Sequence, residues 1–166
     1  MNLKIEIKYT VLISLLMLLW LSLEFMIGLH EKPLIAYHPY ITMFALFIPI
    51  ICAMLAVNEK REFLEGRITF KQAFLTGLLI AVFTTLVSPL IQWIFFAVVN
   101  PDFFDNMIAY SIERAHANKM TEQQAQKVAV GYFNLQSYII QSALFSFIGG
   151  IIIATVVAVI KRSKSK

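Results

Sequence analysis

The chain offers few residues able to do chemistry, and Glu24 is the first of them. It sits in the apolar stretch WLSLEFMIGLH, inside a run long enough to cross a membrane. An ionised side chain near the middle of a spanning helix costs about 3 kcal/mol on insertion scales, so Glu24 must face protein or water. At about 1.5 Å per residue it lies about 8 Å below the outer end of a span covering 9–29. The same count brings Gln92 and Gln141, on other spans, to similar depth, with Thr42 and Ser88 near them. A polar cluster of Glu24, Thr42, Ser88, Gln92 and Gln141 is therefore expected. Desolvation favours the neutral carboxyl, which could bond a glutamine amide and serve as a proton or cation site. The competing reading is a Glu that reaches the outer headgroups.

The three histidines, His30, His38 and His116, fall in segments between the apolar runs. A metal site needs a third ligand held close by, and neither HxxxH nor HExxH spacing occurs. They read as ordinary interface residues, with no metal and no cofactor. Cys52 is the single cysteine, inside an apolar run, with no partner for a disulfide or a thiolate site. GxSxG, P-loop and GxGxxG motifs are all missing, and no Ser or Thr in the apolar runs has a His or Lys at helical spacing. The expectation is no catalytic residue and no enzyme.

The elements that must position these residues follow from composition. Of 166 residues, 59% are hydrophobic and 14% are charged, where soluble domains carry about 25% charged residues. So apolar a chain of this length cannot hide its surface in one small core. The net charge of +4 does not indicate nucleic acid, because the basic residues stand at the ends of apolar runs. Four runs approach the about 20 residues a spanning helix needs: 9–29, 40–57, 71–99 and 135–160. The first resembles a signal peptide but is long and lacks a small-x-small site after it, so it reads as an uncleaved span. Pro49 and Pro89 fall inside the second and third spans, where each should bend its helix. Neighbours must then satisfy the freed carbonyl.

Ten of the fourteen Lys and Arg residues lie on the side of both termini and the 58–70 loop. Only Lys32, Arg114, Lys119 and Lys127 lie on the other. The richer side is cytoplasmic by the positive-inside rule. The fold class is thus an all-α integral membrane protein, read as one membrane domain over 1–166 with four transmembrane helices. The second extracytoplasmic loop, about 101–133, should be helical and amphipathic. Phe104, Ile108 and Ile112 recur every four residues, after Pro101 and Asp102 at a helix start. Thr121 and Gln124 predict a capping box for a second helix there.

The cytoplasmic loop carries EGRITFKQAF. Thr69-x-x-Gln72 predicts a capping box where the third span begins, and Gly66 can take the left-handed conformation before it. Glu59, Glu62 and Glu65 alternate with Lys60, Arg61 and Arg67, so the loop is expected to neutralise itself as a hinge rather than form a working site. A partner-binding patch is the competing reading. The run Gly66-Arg67-Ile68-Thr69-Phe70-Lys71-Gln72-Ala73-Phe74 with Gly77, the later Asn100-Pro101-Asp102-Phe103, and Gly149-Gly150 before a basic tail resemble a family of small bacterial membrane proteins, domain of unknown function 4199. The resemblance covers nearly the whole chain. It implies a four-span inner-membrane protein and brings no activity, substrate or catalytic residue.

Small residues form two seams at four-residue spacing: Ala73, Gly77, Ala81 and Thr85 in the third span, and Ser142, Ser146, Gly150, Ala154 and Ala158 in the fourth. Helices in lipid associate by close packing of such faces, so the third and fourth spans should pack antiparallel. One seam facing another subunit is the alternative. Trp20 falls near mid-span and reads as lipid-facing or packing. The sequence therefore supports a non-enzymatic structural or accessory protein of the bacterial inner membrane with both termini cytoplasmic. It would act through helix packing and contacts with lipid, an envelope protein or its own copies. A small oligomeric transporter or channel subunit built around Glu24 is the alternative.

Overall fold

A computed structural model describes residues 3–117 and 120–163. Lys119, Lys164 and Lys166, which enter the charge count, lie outside the described residues, as does the side chain of His116. The described chain is helical, with no strand. In order it forms α1 (Lys4–Met26), a short 3₁₀ turn (Leu34–Tyr37), α2 (His38–Ile41), a second 3₁₀ turn (Thr42–Leu46) and α3 (Phe47–Phe63). Then come α4 (Phe70–Ile94), a π turn (Phe95–Val99), α5 (Phe103–Ala117), α6 (Glu122–Tyr132) and α7 (Leu135–Lys161). Four stretches are long and apolar enough to cross a membrane: Lys4–Met26, Leu34–Phe63, Phe70–Val99 and Leu135–Lys161. Each buries a minority of its residues, which leaves broad apolar faces suited to lipid.

The boundaries correct one expectation. The first helix starts at Lys4 rather than at residue 9, so Glu6 lies within it and is buried. Pro49 lies inside the second spanning stretch, Leu34–Phe63, just after the 3₁₀ turn Thr42–Leu46 gives way to α3, of which it is the third residue. Pro89 does lie inside α4. The Thr85 carbonyl, which the missing N–H of residue 89 leaves free, accepts the Ser88 hydroxyl at 3.0 Å. Ser88 thus mends the helix.

Contacts gather the chain into two compact units. The first comprises Met1–Met17, Ala45–Ser88 and Ser142–Lys166. In it the seams of α4 and α7 meet. A Cβ built on Gly77 would stand 2.7 Å from the Ala154 Cβ and 2.9 Å from its Cα, and one on Gly150 would overlap the Ala81 Cβ. The pairs 77–154 and 81–150 advance in opposite directions, so the helices run antiparallel. Ala73 and Ala158 continue the contact in a core with Ala53, Val57, Ile68 and Val157. Backbone-to-backbone approach replaces side-chain interlocking, as close packing in lipid favours.

The hinge between α3 and α4 belongs to this unit. Gly66 N–H donates to the Arg61 carbonyl at 2.9 Å and Glu65 N–H to that of Glu62 at 3.1 Å, the two bonds of a Schellman motif. Gly66 is left-handed as expected (φ 87), but so is Glu65 (φ 59). The capping box forms in both directions: Thr69 N–H donates to Gln72 Oε1 at 2.9 Å, and Gln72 N–H to Thr69 Oγ1 at 3.3 Å. Ser163 clasps the hinge, donating from its N–H to the Ile68 carbonyl at 2.8 Å and accepting from Ile68 N–H at 3.0 Å. Two hinge charges look elsewhere than expected. Glu59 pairs with Lys8 at 2.7 Å and accepts from the Tyr9 hydroxyl at 3.0 Å, while Lys60 donates to Glu6 at 2.9 Å. These bonds tie α3 to α1.

The second unit comprises Leu18–Phe44 and Pro89–Gln141. Its core joins Leu21, Ile35, Phe95, Phe96, Phe103 and Met107, with Phe104 and Tyr138 packed against them. Helices α5 and α6 pack on each other as a hairpin. The deepest face of α5 is Phe103 and Met107, one position before the expected Phe104–Ile108 stripe. Thr121 stands at the start of α6 as expected, but its side chain makes no capping bond.

Candidate functional site

The second unit encloses a polar centre around Glu24. Gly28, in the left-handed region (φ 77), ends the first helix by donating its N–H to the Phe25 carbonyl at 2.9 Å. A Cβ raises the energy of this conformation, so glycine suits the turn. The chain then folds back, with Leu29 and Ile35 buried, and returns His30 and His38 to the carboxylate one turn earlier. Glu24 is 2% exposed, His30 0% and His38 8%.

Each oxygen of Glu24 has a different environment. Oε1 accepts the Trp20 indole N–H at 2.6 Å. Oε2 faces His30 Nε2 at 3.5 Å and His38 Nε2 at 3.8 Å. The far side of the His30 ring is also held, since its Nδ1 lies 2.9 Å from Asn100 Nδ2. Asn100 is fixed by its own backbone, donating its N–H to the Phe95 carbonyl at 2.8 Å to close the π turn. Aromatic rings seal the group. His30 meets Phe103 edge-on at 4.9 Å between centroids, His38 at 5.1 Å and Phe95 at 5.7 Å. Two members of Asn100-Pro101-Asp102-Phe103 therefore touch His30 directly, one by its amide and one by its ring.

The sequence placed Glu24 in a polar group but gave it other partners. Among the described residues, its hydrogen-bonding and ion-pairing neighbours are Trp20, His30 and His38. Thr42, Gln92 and Gln141 make no bond to it. Gln92 Oε1 is buried without a hydrogen-bond partner, and Thr42 opens the second 3₁₀ turn. Ser88 serves the Thr85 carbonyl. Trp20, read as a lipid-facing or packing residue, is the tightest partner Glu24 has. Its position four residues before Glu24 on one helix face was the available signal. His30 and His38 were missed because a 6- and a 14-residue offset across a turn matches no helical spacing. Nothing in the sequence announced Asn100 as their support.

Six hydroxyls in the long helices are consumed locally. Thr10, Ser14, Ser22, Thr76, Thr85 and Thr155 each donate the hydroxyl to the carbonyl four residues earlier, at 2.8–3.0 Å. Such back-bonding lets a hydroxyl sit in an apolar helix without an outside partner. In the first unit a cleft of about 840 Å³ opens beside the hinge, lined by Arg67, Thr69, Phe70, Gln72 and Arg162 among others.

The sequence profile of a protein family described as "Protein of unknown function (DUF4199)" matches residues 8–163. No curated protein and no solved structure matches the chain.

Proposed function

The chain belongs to the DUF4199 family, and from that premise we propose a non-enzymatic protein of the bacterial inner membrane that acts through contacts. One observation carries this reading: the polar inventory is turned inward. Glu24 is sealed between Trp20, two histidines and phenylalanine rings, and the hydroxyls of Thr10, Ser14, Ser22, Thr76, Thr85 and Thr155 bond their own backbone. A conducting path needs polar groups that face water or one another along the membrane normal. A hydrolytic or transfer site needs a cleft with convergent free groups. What remains available outside is apolar helix surface, the α5–α6 hairpin and the hinge cleft with Arg67 and Arg162.

The distribution of Lys and Arg supports cytoplasmic termini, with the hinge on the same side and the α5–α6 hairpin outside. An accessory protein so placed meets membrane lipid on its spans and an envelope protein through the hairpin or the hinge. Lys32 and Glu113 form an exposed ion pair between the first outer loop and α5.

Extraction in mild detergent, with the mass of the particle and its co-purifying proteins determined, tests the proposal. A reproducible complex with other envelope proteins, lost when hairpin or hinge residues change, is the expected result. A homo-oligomer without other proteins that conducts ions or solutes in liposomes would overturn it in favour of a channel or transporter subunit.

A further inference from the structure

We propose that Glu24, His30 and His38 form a binding site for a divalent first-row transition-metal ion of the zinc class. One donor atom from each lies within 4.8 Å of the other two, and all three residues are buried. Two imidazoles and one carboxylate make a donor set that suits such ions and discriminates against calcium and magnesium, which take oxygen. The inference is independent of the role through contacts.

The distances separate a metal site from a hydrogen-bonded cluster. A carboxylate bonded to an imidazole N–H sits at about 2.7–2.9 Å. Glu24 Oε2 stands 3.5 Å from His30 Nε2 and 3.8 Å from His38 Nε2. An ion with bonds of about 2.0–2.1 Å in tetrahedral geometry separates its donors by about 3.3 Å. These two separations are long for the first arrangement and close to the second. Meanwhile the other carboxylate oxygen is taken by Trp20, which leaves Oε2 aimed at the histidines.

The surroundings supply what a metal centre needs beyond its ligands. A ligating imidazole usually anchors its other nitrogen, and His30 Nδ1 has Asn100 at 2.9 Å. For Nε2 to ligate, Nδ1 carries the proton and donates it, so the Asn100 amide presents Oδ1 there, its two ends being interchangeable by a half-turn. Phe95 and Phe103 close the apolar wall around His30. With three protein donors, a tetrahedral ion would have one further position open to a small ligand.

The test uses the full chain in mild detergent, stripped with a chelator and titrated with Zn²⁺ and, separately, with Co²⁺. Expected are one Zn²⁺ per chain, visible Co²⁺ absorption bands of a tetrahedral N/O site, and a melting temperature that rises with Zn²⁺ concentration. His30→Ala and His38→Ala should abolish the Co²⁺ bands. Glu24→Gln keeps the shape and an acceptor for Trp20, so it should stay folded yet bind Zn²⁺ at least about tenfold more weakly. Asn100→Leu should weaken binding about 10–100-fold, whereas Asn100→Asp, which keeps an acceptor for His30, should restore it. Substoichiometric Zn²⁺ with an unmoved melting temperature in the unaltered chain would overturn the site. So would unchanged Zn²⁺ affinity in folded His30 and His38 variants.

Discussion

The two compact units solve the same problem differently. In the first, α4 and α7 approach until Gly77 and Ala154, and Gly150 and Ala81, leave no room for another carbon. In the second, rings and polar side chains fill the space, and Glu24 is balanced by Trp20 and two histidines. One is held by the absence of side chains and the other by the chemistry of a few. A steric seam fails when volume is added. A polar centre fails when a partner is taken away.

That contrast can be broken most forcefully at the centre. Glu24→Leu removes the acceptor of a buried indole N–H and leaves two imidazoles facing an apolar group. It should cost about 3 kcal/mol, read as a lower unfolding midpoint in mixed micelles. Glu24→Gln should recover much of that loss. At the seam, Gly77→Ala pushes a methyl into the backbone of Ala154 and should cost about 2 kcal/mol. Gly149→Ala, one residue from Gly150 but with open space around it, should change stability by less than about 0.5 kcal/mol. If Gly77→Ala and Gly149→Ala proved equivalent in the same unfolding assay, close approach would not be what holds the first unit.

Smaller effects belong to the hinge. Thr69→Ala removes one arm of the capping box and should cost about 1 kcal/mol. Glu65→Gly should act in the opposite sense. Residue 65 is left-handed without being glycine, so the change relieves backbone strain by up to about 1 kcal/mol. Circular dichroism during thermal melting would register both signs.

The steric unit was legible in the sequence, and the polar one mostly was not. Small residues at four-residue spacing report a helix face directly, because one period fixes which side chains share it. The seams of Ala73, Gly77 and Ala81 and of Gly150, Ala154 and Ala158 therefore met as the spacing implied. The capping box at Thr69 and Gln72 was equally local. The Glu24 centre depends on a turn after Gly28, a returning loop and the end of α4, and no periodicity crosses those. Depth counting grouped Gln92 and Gln141 with Glu24 but carried no information on the direction they face. The hinge charges misled for a related reason. Their alternation suggested local neutrality, whereas Glu59 and Lys60 reach Lys8 and Glu6 some fifty residues away in sequence. Glu6 belongs to the charged start ahead of a span read from residue 9, which gives no reason to expect it buried.

The account rests on the closure of the Glu24 centre, and carboethoxylation of the unaltered, chelator-treated protein in nanodiscs measures that closure directly. Mass spectrometry would follow His30 and His38 against Tyr37, which is 58% exposed. Closure predicts that Tyr37 is modified while His30 and His38 stay protected until the protein unfolds. Modification of His30 in the folded protein at the rate of a free imidazole would contradict it, and would mean that water reaches the centre along an open path.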